Sequence, residues 1–455
     1  MNELEKRTAI FETMPIKQAV LRQIAPAIIS EMISLIYGLA DTYFVGMLNL
    51  PAHTAAVTVA STSFLLFNAI ASLFGVGGAS AIARALGRKE QEKATQISGT
   101  AFWWALIVGI VVSAVYFALE RPLLAFCGAG ADTIDLAVGY SKWVYVYGGP
   151  FAVMSIVLAG LVRSEGDAFH ASFGLSMGGV LNIILDPFFV LPRFLGLGAV
   201  GAGIATAISN AASAVFFIVY ISTRREKSVL SLSPDGLRYT RLHMREILKI
   251  GFPSALQFIL TAVSVSAMLH FVSKYATEAV AGVGIVKRLD QLPLFFSIGV
   301  SSGLLPMLAY NHAAKNKTRR RQAFRFGITL TLGFSLLCLV CYELFAPQLS
   351  SLFIDDALTI EYGASFLRRM VLAMPLMSVC YPMIIQFQAM GRAKESLICS
   401  ILRKGALDIP LLFIMDALLP LYGCMFVQPI VDAISLTVAA ILYFRLNREL
   451  DRNAL

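Results

Sequence analysis

A chain of 455 residues that is 57% hydrophobic and only 14% charged, with a mean hydropathy of +0.73, is excluded from the soluble globular class, because it carries more apolar surface than one core hides from water. Its net charge of +9 leaves both a nucleic-acid partner and a membrane surface open until the positions of the charges are read. The six cysteines, Cys127, Cys338, Cys341, Cys380, Cys399 and Cys424, lie in or beside apolar stretches without clustering, which argues against a disulfide framework and reads the Cys338/Cys341 pair as packing.

Residues 1–16 are polar and of mixed charge, lack the order of a cleaved signal peptide, and are expected to stay in the cytoplasm. Twelve stretches of the length that crosses a bilayer follow: 19–46, 54–83, 99–119, 143–162, 170–191, 199–222, 247–274, 279–309, 324–345, 366–389, 396–417 and 424–445. With the N-terminus inside, the alternate loops assigned to the cytoplasm hold 27 Lys and Arg and the opposite loops hold 6. That bias predicts a multi-pass membrane protein with both termini cytoplasmic. It also accounts for the basic charge as headgroup-facing loops, so no nucleic-acid partner is expected.

Span 1 contains Glu31, Ser34, Gly38 and Asp41, spaced 3, 4 and 3 apart, which predicts one polar stripe facing the protein interior. Span 5 repeats the pattern with Gly178, Asn182 and Asp186 at every fourth position, and Pro187 follows at once, withdrawing a backbone donor beside the acid. Span 6 adds Thr206, Ser209, Asn210 and Ser213. An ionisable side chain at membrane depth is costly and points to function. Two carboxylates, an amide and a hydroxyl supply only oxygen ligands, the set for Na⁺ or a shared proton and unsuited to zinc or copper. No other metal and no organic cofactor is expected.

The stretch 223–249 is the longest charged connection, and its Ser-Pro-Asp-Gly turn at 233–236 separates six spans from six. Across it, Pro26 corresponds to Pro253, Pro150 to Pro375, Gly166 to Gly391, Gly198 to Gly423 and Pro187 to Pro410, at offsets of 223 to 227 residues. This register predicts a duplication: a first lobe at 1–222, a cytoplasmic linker at 223–249 and a second lobe at 250–455, with a substrate path between the lobes. The acids are not duplicated, since Met268 and Phe258 stand opposite Asp41 and Glu31. The second half instead offers Gln257, Lys287, Arg288, Asp290, Arg403, Asp408, Asp416 and Asp432, read as structural or gating groups with Arg288–Asp290 and Arg403–Asp408 as neutralising pairs. Glu31, Gln257, Arg288 and Asp432 are the candidates for substrate contact or gating.

The run Ala40 to Gly46 that closes span 1 resembles the D-x-x-F-V-G signature of the multidrug and toxic compound extrusion (MATE) antiporters. The resemblance continues through Ala83 to Gly87, Arg163 to Asp167, Pro306 to Asn311, Gln388 to Gly391 and Ile409 to Leu411, and so covers the whole chain. It implies an all-α polytopic membrane protein of 12 transmembrane helices in two pseudo-symmetric six-helix lobes around a V-shaped cavity. It also implies export of small organic compounds, cationic or lipophilic, against Na⁺ or H⁺, with a first-lobe cation site whose pattern falls on Asp41, Asn182, Asp186 and Thr206. Some members carry acids in spans 7 and 10; here Gln257 and a neutral 374–383 region stand there, as in a bacterial DinF-like or related branch. A lipid-linked saccharide flippase of similar architecture is the rival reading, and would need an arginine-lined cavity. The scattered histidines offer no catalytic constellation, so an enzyme is not expected; a monomer is.

Overall fold

The computed structural model describes residues 3–452. The first half comprises α1 (Glu3–Glu12), α2 (Ile16–Gly46), α3 (Pro51–Ser61), α4 (Phe64–Gly87), α5 (Gln91–Phe126), α6 (Ile134–Ser141), α7 (Gly149–Ser164), α8 (Ala168–Val190) and α9 (Gly198–Thr223). The second comprises α10 (Thr240–Val272), α11 (Thr277–Ala313), α12 (Lys317–Ser351), α13 (Ala357–Met370), α14 (Ala373–Ala389), α15 (Ala393–Ile401), α16 (Asp408–Leu418) and α17 (Tyr422–Arg452). Helix is the backbone solution for stretches this long and continuously apolar, since it satisfies each peptide group within its own segment without water.

Among the described residues, nine helical segments are long and apolar enough to cross a membrane, and two bent pairs bring the number to eleven. The pairs are Ile134–Tyr147 with Gly149–Ser164, bent by 47°, and Ala357–Met370 with Ala373–Ala389, bent by 48°. They are the fourth and tenth expected spans. The remaining one, expected at 396–417, is broken by a π-helical segment at Leu402–Ala406, so neither α15 nor α16 alone has the length. The architecture is the expected two-bundle, twelve-span one. Its seventh span starts earlier than 247, because the polar first turns of α10 find partners on the first bundle: His243 Nε2 and Gln96 Oε1 lie 2.9 Å apart, and Glu246 accepts from Arg84 at 3.0 Å.

Within the first bundle α4 packs on α5 and α7, and α8 lies between α2 and α9; within the second, α11 packs on α12, α13 and α14, and α17 on α14 and α16. The bundles meet where α4 crosses α10 and α2 runs along α11. Glycine makes these approaches close. A Cβ on Gly303 would lie 2.7 Å from Ile24 Cα, one on Gly299 2.7 Å from Ile28 Cα, and one on Gly251 would overlap the Leu73 carbonyl. All these contacts lie in the halves of the helices nearest the basic loops. Toward the other face, Gly38 on α2 and Gly284 on α11 have nothing within 4 Å of a Cβ position. The bundles are therefore in close contact toward the basic face, and two glycines on their facing helices border open space toward the opposite one.

Candidate functional site

Two adjacent glycines on α8 assemble the first-bundle site. Gly178 turns toward α9, where a Cβ would come within 3.0 Å of the Ser209 carbonyl, and Gly179 turns toward α2, where it would lie 2.8 Å from Ile33 Cγ2 and 3.3 Å from Tyr37 Cδ1. Side chains one turn further along α8 consequently meet both neighbours. Asn182 Nδ2 donates to Thr206 Oγ1 on α9 at 3.2 Å and to Asp186 Oδ1 at 3.4 Å. Asp41 on α2 accepts from the Tyr140 hydroxyl at 3.3 Å, and its charge acts on Asp186 across the helix pair. Asp186 is fully buried, Asn182 nearly so, and Asp41 is 9% exposed.

Of the four residues expected to form the site, three are joined by direct hydrogen bonds and the fourth stands within electrostatic reach. Three buried oxygens there, Asp41 Oδ1, Asn182 Oδ1 and Asp186 Oδ2, have no partner. Among the described residues neither carboxylate has a basic nitrogen within 4.0 Å. Buried oxygens of this kind are costly unless a proton or a cation serves them. Tyr140 and Tyr37 were missed in the sequence. Tyr140 lies just before the predicted start of span 4, and nothing in helical spacing marks a tyrosine for a carboxylate on another span.

The expected stripe of span 1 divides. Asp41 turns into the first bundle, Gly38 is exposed with open space before it, and half-buried Glu31 lies in the field of Arg163, whose Nε and Nη2 have no partner among the described residues. In the second bundle Gln257 is half-buried and Arg288 exposed. Neither predicted ion pair forms. Residues two apart on a helix point to opposite sides, which separates Arg288 from Asp290, and the break at Leu402–Ala406 leaves no regular helical register to bring Arg403 onto Asp408. Arg403 instead donates to Asp432 at 3.1 Å, both only 1% exposed, so Asp432 is held in a buried ion pair.

The basic face carries a second polar assembly, reached by the motif Arg163 to Asp167 but not foreseen as a network. Glu165 accepts from Arg7 at 3.0 Å, from Ser228 at 2.7 Å and from the Val229 amide at 2.6 Å. Asp167 caps α8 and accepts from Tyr220. Burial alone would raise the Asp167 carboxyl, but hydrogen bonds from Tyr220 and His170 and the charges of His170 and Arg7 hold it below the usual carboxylate range. Helix α1, anchored here through Arg7, also reaches the other bundle: Tyr310 donates to Glu12 at 2.5 Å, and Arg319 donates to the Ile10, Phe11 and Met14 carbonyls.

The family model described as MatE matches this chain twice, over residues 26–188 and 253–414, once in each half, beginning at the two prolines that the duplication aligns. The chain is 29% identical over 441 residues to the multidrug export protein MepA of Staphylococcus aureus, covering 97% of this chain and 96% of that protein. It is 28% identical over 440 residues to MepA of Staphylococcus haemolyticus, with the same coverages. The fold superposes with a TM-score of 0.90 and 25% identity on the outward-facing conformation of a multidrug resistance MATE family transporter of the MOP superfamily, over 98% of this chain and 99% of that one. The duplicated spans, the cleft between them and a family match in both halves identify this chain as a member of the MATE family, a membrane transport protein and not an enzyme.

Proposed function

We propose that this protein is a cation-coupled multidrug antiporter that exports small organic compounds, cationic or lipophilic, across the bacterial plasma membrane. The basic face is cytoplasmic, with both termini on that side, and the cleft opens outward. Asp41, Asn182, Asp186 and Thr206 bind the coupling ion, Na⁺ or a proton. The observation that carries this reading is the set of three buried, unpartnered oxygens on two carboxylates and an amide at membrane depth. Support for multidrug export comes from the MepA relatives.

The physics is a competition. With the ion absent, two neighbouring carboxylates repel each other and need water, which favours the open cleft; with the ion present, their charge is offset and an apolar closure costs less. Cargo leaves as the ion enters. Asn182 holds Asp186 and Thr206 in register, so one arriving cation meets preset oxygens from α8 and α9, with Asp41 contributed from α2.

The test is dye efflux from proteoliposomes under a Na⁺ gradient alone and a proton gradient alone, for the native chain and for Asp41→Asn. One gradient is expected to drive export and the variant to lose it while inserting normally. Full export by Asp41→Asn under both gradients would refute the site.

A further inference from the structure

The loops opposite the basic face hold six Lys and Arg: Arg121, Lys142, Arg193, Lys274, Arg368 and Arg369. The charge bias works against them there, so an adjacent pair calls for a partner or a use. Arg121 has its partner in Asp135 at 2.5 Å, and Lys142 and Lys274 lie over the Phe117 and Phe271 rings. Arg368 and Arg369 instead line a cavity of about 730 Å³, a small-molecule size, together with Glu361 and Ser365 on α13, Pro347 on α12 and Phe426 on α17. Positions 361, 365, 368 and 369 recur at helical spacing and form one face of α13, while Gly363, Phe366, Leu367 and Met370 are buried on the other. The cavity lies at headgroup height. Pro347 is two residues past the expected end of span 9, and Arg368 and Phe426 are each two residues into spans 10 and 12.

Arg369 is held in place: Nη1 donates to the Ser365 carbonyl at 2.7 Å and to its hydroxyl, and the guanidinium stands 4.5 Å from the centre of the Tyr422 ring. Among the described residues its Nε and Nη2 have no acceptor and no carboxylate lies within 4.0 Å of it. Arg368 reaches Glu343 only at 4.0 Å, with both side chains exposed, a contact worth little. Glu361, about two turns away on the same face, has no basic nitrogen within 4.0 Å among the described residues.

We propose that this cavity binds the headgroup of a zwitterionic aminophospholipid, with the phosphate on Arg368 and Arg369, the ammonium on Glu361 and the start of the acyl chains against Pro347 and Phe426. A guanidinium suits the phosphate because its planar fork presents parallel donors. The site belongs to the second bundle alone: at the offset of 225 that aligns Pro122 with Pro347, the first half has Trp143 and Val144 in place of the arginines. It lies where α13 enters the 48° bend of the tenth span, so bound lipid touches that elbow directly.

The test uses the purified full chain in detergent, freed of lipid, with native mass spectrometry measuring the binding of three dioctanoyl lipids: phosphatidylethanolamine, phosphatidylcholine and phosphatidylglycerol. The native chain is expected to bind phosphatidylethanolamine about fivefold more tightly than the other two, since a quaternary amine cannot donate a hydrogen bond and a glycerol carries no charge. Arg369→Gln is expected to weaken all three by about tenfold, because all carry the phosphate. Glu361→Gln, at an exposed position, is expected to remove the advantage of phosphatidylethanolamine and leave phosphatidylglycerol within about twofold of its native affinity. Equal affinity of the native chain for the three lipids, or affinities unchanged in both variants, would overturn the assignment. So would displacement of phosphatidylethanolamine by equimolar inorganic phosphate, which would make the ligand a free anion.

Discussion

Asp432 and Asp41 are both buried acids, yet their surroundings assign them opposite work. Asp432 is matched by Arg403 and Gln428, so Asp432→Asn leaves a guanidinium uncompensated in the interior and should destabilise the protein by about 3–5 kcal/mol. A fall in the melting temperature of the purified chain, relieved in the Arg403→Met, Asp432→Leu double variant, is the expected result. Asp41 has a single hydrogen bond, from Tyr140 at 3.3 Å, and an open oxygen. Tyr140→Phe should therefore leave folding intact and shift the ion concentration for half-maximal efflux by about two- to tenfold, the worth of one hydrogen bond. Much of this was legible in the sequence. Asn182 and Asp186 declared themselves by i,i+4 spacing on one helix, whereas the Arg403 partner was misread as Asp408 because a within-helix spacing was expected to serve where a contact with α17 does. Tyr140 left no trace, since contacts between helices far apart in sequence have no local period.

At the scale of elements, the cleft is closed at its basic end by helix pairs in which glycine removes the last obstacle to contact. Gly251 on α10 admits the Leu73 carbonyl of α4, and Gly303 on α11 admits Ile24 of α2. Adding a methyl group at Gly251 overpacks that crossing at a cost of about 1–3 kcal/mol, while the opposite ends of the same helices are unaffected. Gly251→Ala is thus expected to shift the population away from the outward-open state. Spin labels placed across the basic face should report longer distances than in the native chain; unchanged distances would show that the crossing does not hold the state. The length and apolarity of the spans made eleven of them predictable in kind. The π segment of the eleventh span and the early start of α10 depended on partners outside the local sequence, such as Gln96 for His243 and Arg84 for Glu246.

At the scale of the whole molecule, α1 links both bundles across the closed end through Arg7 on one side and Glu12 and the Arg319-bound carbonyls on the other. Arg319→Ala removes donors to three carbonyls at once. The variant should open more readily toward the basic face, seen as faster labelling of a cysteine placed on α4 near Ser80, with the ion dependence of efflux retained. The two-bundle plan was readable because duplication leaves prolines and glycines in register, and helix α1 was not, since its ten residues are too short and too polar to announce a packing face.

The fourth and tenth spans bend by 47° and 48°, at places that the duplication makes equivalent. Each half thus inherited the same elbow, and on the reading proposed above the coupling ion acts on the first. If the first limb is the one an ion drives, its motion must reach the second through the glycine-lined crossings they share. Speed of turnover would then be limited by how firmly those crossings couple the pair, and loosening them should let ions slip through without moving cargo.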